Sequence, residues 1–311
     1  MSCCRVKLVR WGRTKSGTVR WRCPKCGKTK IRQKTSLPTG LLTDYLLDGN
    51  TCSQLAEKYF VSSKTIQRKI NRILDTKAPN LPELEIKSPC WLITDASHFK
   101  RWGCLFITRA VGLNQPLAVS FHEKENYESA LQHLTPLSNL PVVGYTLDGR
   151  RGLVLAYGQI FPNAKFQRCL VHVQLKVQTL LTCRPKLKAG YELLKLTRRF
   201  KRIKSTLSAF LWNEDFDRWQ RTNWQLLHER SYKGRSWWYT HQNLRHAWKH
   251  ILNAQDHLFV FLTFKGSVSH TNHLEGTFGQ RKPALVKHRG LSRKRIANAL
   301  LWTYYLKQKN P

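Results

Sequence analysis

Two apolar runs that each end in an isolated acid constrain this chain more than any other feature. Trp91-Leu92-Ile93-Thr94 runs into Asp95, and Val142-Val143-Gly144-Tyr145-Thr146-Leu147 runs into Asp148, the only acid between Ser129 and Gly190. Short apolar runs bounded by turn residues read as buried strands. The pattern recurs at Gly103–Val111, Leu117–Phe121 and Phe166–Val171, while Tyr127–Leu134 and Arg151–Phe161 have helical spacing. Three strands in succession, then alternating helix and strand, predict an α/β fold with a mixed sheet and not an all-parallel one. Adjacent strands would bring Asp95 and Asp148 side by side.

A third acid belongs with them. Glu275 is the only acid between His257 and Pro311, in Thr271-Asn272-His273-Leu274-Glu275-Gly276, followed by Arg281, Lys282, His288 and Arg289. A single aspartate after a strand is common in turns. Two strand-end aspartates and one distant glutamate in basic surroundings are the hard-oxygen set that two Mg²⁺ (or Mn²⁺) ions require for phosphoryl transfer. Asp95, Asp148 and Glu275 are therefore the candidate metal ligands.

The charge balance points the same way. With 54 basic and 18 acidic residues the formal net charge is +36, a self-repulsion that a polyanion relieves, and nucleic acid is the usual one. Hydrophobic content of 41% and aromatic content of 11% support a real core and exclude a disordered basic tail. No lipid-anchor motif and no apolar run near about 18 residues is present, which argues against a membrane. The start, Met1-Ser2-Cys3-Cys4-Arg5, lacks a signal-peptide core. Nine cysteines, an odd number, fit reduced thiols better than a secreted disulfide framework. The expected compartment is a bacterial-type cytoplasm, at the nucleoid.

Four segments follow from the pattern. Residues 1–38 are basic and acid-free, with a Cys23-Pro24-Lys25-Cys26-Gly27 knuckle that reads as half of a zinc ribbon. The other half is offered only by Cys3 and Cys4, which are adjacent. A four-thiolate Zn²⁺ site, a three-thiolate one, and a ribbon that has lost its metal all stay open. Residues 39–75 read as a helix-turn-helix. Thr51–Gln54 has capping-box form, and Ile66, Ile70, Ile73 and Leu74 face inward, leaving Lys64, Gln67, Arg68 and Asn71 as outward DNA readers. An ordinary helical hairpin is the alternative. Residues 76–90, with Pro79, Pro82 and Pro89, read as a linker. Residues 91–311 form the α/β domain, in which strand signals fade between about 173 and 268. Six tryptophans fall there and are expected mostly in a helical core, one or two being free to stack on unpaired bases.

Cys169 and His172 form a Cys-x-x-His step. Zinc binding would need a second ligand pair, and a Cys–His nucleophile would need an oxyanion motif; neither accompanies it. His98 and Lys100, just after Asp95, read as solvated or phosphate-facing.

At these residues the chain resembles the bacterial Mutator-type insertion-sequence transposases. The stretches that carry the resemblance are Thr146-Leu147-Asp148-Gly149 with Gly152-Leu153, Gln167-Arg168-Cys169-Leu170-Val171-His172, and Thr271-Asn272-His273-Leu274-Glu275-Gly276 followed by His288-Arg289-Gly290-Leu291-Ser292. The resemblance spans about residues 91–308. It implies an RNase H-like fold with helices on both faces, an all-helical insertion between the second Asp and the Glu, and Asp95, Asp148 and Glu275 as the catalytic triad. It sets Cys169, His172 and Asn272 near that triad, with His172 contacting scissile DNA. The implied activity is Mg²⁺-dependent cleavage at the ends of an insertion sequence, freeing a 3′-OH that is transferred to target DNA without a covalent enzyme intermediate. The implied partners are double-stranded DNA, as terminal inverted repeats and target, and further copies of the chain. A DNA-binding regulator derived from an inactive transposase, and a nuclease that cuts without joining, remain as alternatives.

Overall fold

The computed structural model describes residues 2–15, 17, 19–31, 40–99, 102–272, 274 and 290–309. The chain divides into two units, Met1–Ile70 and Asn71–Pro311.

The smaller unit begins with β1 (Ser2–Cys3) and β2 (Val6–Lys7), an antiparallel pair closed by Cys4 and Arg5, both at positive φ. β3 (Val9–Arg13), β4 (Val19–Arg22) and β5 (Thr29–Ile31) follow as an antiparallel sheet in that order. Leu8, just before β3, and Cys23, just after β4, are buried, and Arg22 stacks over the Trp11 ring at 4.3 Å. Three helices come next: α1 (Leu41–Leu46), α2 (Cys52–Lys58) and α3 (Ser63–Leu74). The capping box forms, Thr51 accepting from the Gln54 amide while the Gln54 side chain accepts from Thr51 N at 2.8 Å. Leu41, Leu42, Tyr45, Leu46, Leu55, Ile66 and Ile70 are buried. Asp44 is buried too, satisfied by Lys58 at 2.7 Å and Tyr59 at 2.5 Å; burial works to raise its pKa, and these partners outweigh it.

The larger unit is built on β6 (Cys90–His98), β7 (Cys104–Ala110), β8 (Ala118–His122), β9 (Val142–Leu147) and β10 (Lys165–Arg168). They form one mixed sheet in the order β10-β9-β6-β7-β8; β6, β7 and β8 are antiparallel neighbours, while β9 runs parallel to both β6 and β10. The α/β class and mixed sheet expected from the sequence are observed. The predicted strand over Phe166–Val171 is shorter: it stops at Arg168, Cys169 caps the next helix, and Leu170 and Val171 are helical. An apolar run that passes from strand into helix carries no change of period to mark the border.

Helices cover both faces of this sheet. On one, α4 (Tyr127–Leu134) and α5 (Arg151–Ile160) pack Ala130, Leu134, Leu153 and Tyr157 onto Leu92, Phe106, Tyr145 and Leu147. On the other, Leu274 and α11 (Arg293–Lys309), through Ile296, Leu300 and Tyr304, cover Ile93, Leu105 and Ile107. Under the first face runs a buried polar chain in which Thr94 bonds Thr108 and Tyr157, Thr108 bonds His133, and His133 bonds Ser120. Burial drives the His133 pKa down to about 3, so it serves as a neutral hub.

The insertion holds α6 (Leu170–Leu181), α7 (Lys188–Arg198), α8 (Thr206–Thr222), α9 (Trp224–His228) and α10 (Gln242–Leu252). It is not all-helical. A hairpin of β11 (Arg230–Lys233) and β12 (Ser236–Tyr239) interrupts it. Period-2 alternation does not betray these strands, because most of their residues lie in solvent. The insertion has its own core, centred on Trp212, Phe216, Trp219, Leu193 and Trp248. Trp212, Trp219 and Trp248 are buried as expected, whereas Trp224, Trp237 and Trp238 are exposed. Residues 77–84, in the stretch that reads as a linker, have no regular structure and line a cavity of about 650 Å³ with β8, α4 and Leu301. No helix among the described residues is long and apolar enough to cross a membrane.

Candidate active site and metal centre

The parallel pairing of β6 with β9 matches Trp91 to Gly144, Leu92 to Tyr145 and Ile93 to Thr146. The pairing ends at Ile93–Thr146. Two residues further along lie Asp148, directly after β9, and Asp95, which does not end its strand as expected but lies inside β6, whose pairing with β7 carries it on to His98. Alternation keeps Trp91, Ile93 and Asp95 on one face of the sheet. Trp91 Nε1 donates to Thr146 Oγ1 at 2.9 Å, so Thr146 shares that face. It is also the face against which Leu274 is buried.

Each aspartate accepts a backbone N–H that follows it in the chain, Asp95 within β6 and Asp148 in the turn after β9. Asp95 is buried, and its Oδ1 accepts from Ala96 N at 2.9 Å. Asp148 Oδ1 accepts from Arg150 N at 2.9 Å and Oδ2 from Arg150 Nε at 3.2 Å. Gly149 is required between them. Its φ is +81°, and a Cβ there would fall 1.1 Å from Arg168 Nη1, so the Arg168 guanidinium lies directly on this turn. Arg168 Nε is buried with no hydrogen-bond partner among the described residues. Burial lowers the Arg168 pKa, and the Asp148 carboxylate works against that.

The chain returns from the insertion along the same edge. Thr146 Oγ1 donates to Val268 O at 2.6 Å, Leu170 N donates to Ser269 O at 2.9 Å, and Cys169 Sγ lies 3.6 Å from Thr271 Oγ1. Thr271 is fully buried, Asn272 is exposed, and Leu274 is buried. Glu275, with Arg281, Lys282, His288 and Arg289, lies outside the described residues, as does Lys100.

His172 sits in the first turn of α6, three residues after the Cys169 cap. The Cys169 hydrogen bond raises the His172 pKa to about 9 against the effect of burial, and the charges of Cys169, Asp95 and Asp148 push it the same way. Burial works to raise the Cys169 thiol, but hydrogen bonding and charge from His172 outweigh it and hold the thiol below its ordinary range. Each of the pair thus favours the charged form of the other, and the negative charge of Asp95 and Asp148 adds to the effect on His172.

Three contributors escape sequence reasoning: Glu125, Arg150 and Arg168. The Glu125 side chain is 6% exposed and bridges His98 Nε2 at 2.7 Å and Arg150 Nη1 at 2.8 Å. Burial raises its pKa against the pull of Arg150, and Asp148 raises it further. His98, which reads as solvated or phosphate-facing, is half exposed and paired with this carboxylate instead. A basic chain makes arginines too common to single out, and Glu125 lies in a turn with other charges; only tertiary contact distinguishes them.

At the N-terminus, Cys3, Cys4, Cys23 and Cys26 bring their sulfurs within 4.8 Å of one another. The two-residue turn after β1 carries Cys4, and the knuckle turn is closed by Gly27 N donating to Cys23 O at 2.9 Å. A backbone hydrogen bond at Lys28 lowers the Cys26 thiol to about 7, while hydrogen bonding to Cys26 pushes Cys4 up to about 12. This donor set fits a soft tetrahedral cation such as Zn²⁺, which would bind all four sulfurs as thiolates. On α3, Lys64, Gln67 and Arg68 are exposed and Asn71 is half-buried. The chain matches no protein-family model and no curated protein sequence.

Proposed function

We propose that the chain is a DNA transposase of RNase H-like fold that cleaves and joins DNA strands at Asp95, Asp148 and Glu275. The observation that supports this reading is the β6–β9 pairing, which ends at Ile93–Thr146, two residues before Asp95 on one strand and Asp148 after the other. Leu274, buried on the same face, brings the chain to that face one residue before Glu275. The strand order, the helices on both faces and the insertion ahead of Glu275 support the fold assignment.

Divalent Mg²⁺, held by Asp95, Asp148 and Glu275, would supply activation of the attacking oxygen and charge neutralisation at the leaving one. The protein's own residues do the rest. Arg150 fixes the Asp148 carboxylate, and the fully buried Thr271 secures the return toward Glu275. The His172 imidazolium and the Arg168 guanidinium put fixed positive charge where a phosphodiester would approach the acids, a preorganised electrostatic contribution. The exposed Lys64, Gln67 and Arg68 on α3 would read the element's ends, and the net charge of +36 would hold the backbone.

The test is incubation of purified protein with labelled element-end DNA and Mg²⁺. Nicks that leave a 3′-OH at the element end, followed by joined products, support the reading. Tight, selective binding with no cleavage under Mg²⁺ or Mn²⁺ would identify a regulator instead.

A further inference from the structure

Large aromatic rings left in water cost free energy, so a cluster of them on a well-formed element calls for a partner. The β11–β12 hairpin presents such a cluster. Its register pairs Arg230 with Tyr239 and Tyr232 with Trp237, so these four side chains share one face, while Trp238 points from the other. Tyr232 is 67% exposed, Trp237 47% and Trp238 45%. The hairpin is built to hold this display. Gly234, at φ +59°, closes the two-residue turn with Arg235. At the open end Thr240 N donates to Glu229 O at 3.0 Å and Ser231 Oγ bonds Thr240 Oγ1 at 2.8 Å. Behind it the buried Arg245 lies over the Tyr239 ring at 3.9 Å and donates to Leu227 O at 2.8 Å.

The charge around these rings selects the occupant. From Arg230 to Gln255 the chain contains no acid, and Lys233 and Arg235 flank the turn. The Arg230 guanidinium stacks on Trp237 at 4.3 Å, which leaves an aromatic surface edged by cations. A second copy of this chain would bring the same cations against it, a like-charge contact. A fully paired duplex would offer phosphates to the cations but no base face to the rings. A ligand with both flat apolar rings and negative charge is an unpaired stretch of DNA.

We propose that the β11–β12 hairpin is a stacking platform for unpaired DNA bases, with Trp237 and Tyr232 as the rings and Arg230 as the flanking cation. It rests on the transposase reading only in taking DNA as the polyanion, and it does not require the cleavage chemistry.

Fluorescein-labelled oligo(dT) and a fully paired duplex, titrated at matched salt with the full-length protein, test it. Trp237→Ala should weaken oligo(dT) binding by about tenfold, since one base–aromatic stack is worth that order, while the duplex loses no more than about twofold. Trp237→Phe should retain most of the binding. Tyr232→Ala, at the more exposed ring, should repeat the loss without affecting folding. Unchanged oligo(dT) binding in a Trp237→Ala, Trp238→Ala double variant overturns the proposal, as does an equal loss on both DNAs. A concentration-dependent dimer in light scattering, abolished by the double variant while oligo(dT) binding is unchanged, overturns it in favour of a second copy. If wild type fails to cleave element ends yet its oligo(dT) binding depends on Trp237, the catalytic reading falls and the platform stands.

Discussion

Cys169 and His172 stabilise each other's charged forms at the start of α6, and the field of Asp95 and Asp148 favours the imidazolium. A histidine raised from 6.5 to about 9 contributes stability in full below the unfolded value and loses it as pH rises through the folded one. In metal-free protein, the His172 ring protons should therefore titrate near pH 9 by NMR. Part of the thermal stability should be lost between about pH 6.5 and 9. Mg²⁺ bound at the aspartates would cancel their field and lower that value. An imidazole that titrates near 6.5 with and without Mg²⁺ would separate His172 from the acids.

Asp95→Asn, Asp148→Asn and Glu275→Gln should each abolish cleavage of element-end DNA while leaving binding intact or slightly tighter. Ligation needs the negative oxygens, whereas the DNA contacts of a chain at +36 do not. Gel assays with Mg²⁺ and filter binding without it check the two halves separately; near-normal cleavage by any one variant removes that residue from the site.

Gly149→Ala should mimic an acid substitution without removing a charge. The position combines φ +81° with a Cβ 1.1 Å from Arg168 Nη1, so the turn or the guanidinium must shift. Backbone strain of this kind costs about 1–3 kcal/mol. A melting temperature lowered by only a few degrees together with lost cleavage is expected; wild-type cleavage would show that neither Arg168 nor the turn matters to the chemistry.

Zinc should co-purify at near-stoichiometric amounts and be lost from a Cys23→Ser, Cys26→Ser double variant, by elemental analysis. Metal binding should order the N-terminal strands and raise DNA affinity without altering the cleavage rate per bound complex. A zinc content near zero in fresh wild-type protein would leave the four thiols as a packing feature.

Recognition and bulk affinity should separate by location. Gln67→Ala or Arg68→Ala on the exposed side of α3 should reduce preference for element ends over random DNA. Neutralising the exposed Arg198, Lys201, Arg202 and Lys204 should weaken all DNA binding and flatten its salt dependence. Equal end preference in a variant that lacks the N-terminal unit would refute this division.

The sheet was legible because Trp91–Thr94 and Val142–Leu147 are apolar runs, but only Asp148 marks a stop: β6 carries on through Asp95 to His98, since its pairing with β7 continues past the acid. The capping box at Thr51 and the ribbon knuckle were legible as local chemistry. What stayed hidden depends on contacts between distant residues. Glu125 and Arg150 gain meaning only when folding brings them to Asp148 and His98, and Arg168 only when it lies on Gly149. The β11–β12 hairpin was hidden for a different reason: its aromatic residues read as core, and nothing local marks a tryptophan that will remain in water.

The links at Thr146–Val268, Leu170–Ser269 and Cys169–Thr271 have a structural corollary. They fasten the chain's departure from the sheet to its return, and Gln167 adds a bond to Leu258 O at 2.8 Å and one from Phe261 N at 2.9 Å, so the insertion packs around its own core and is seated on β10 as well. Changes of length confined to the β11–β12 hairpin leave every one of these links in place.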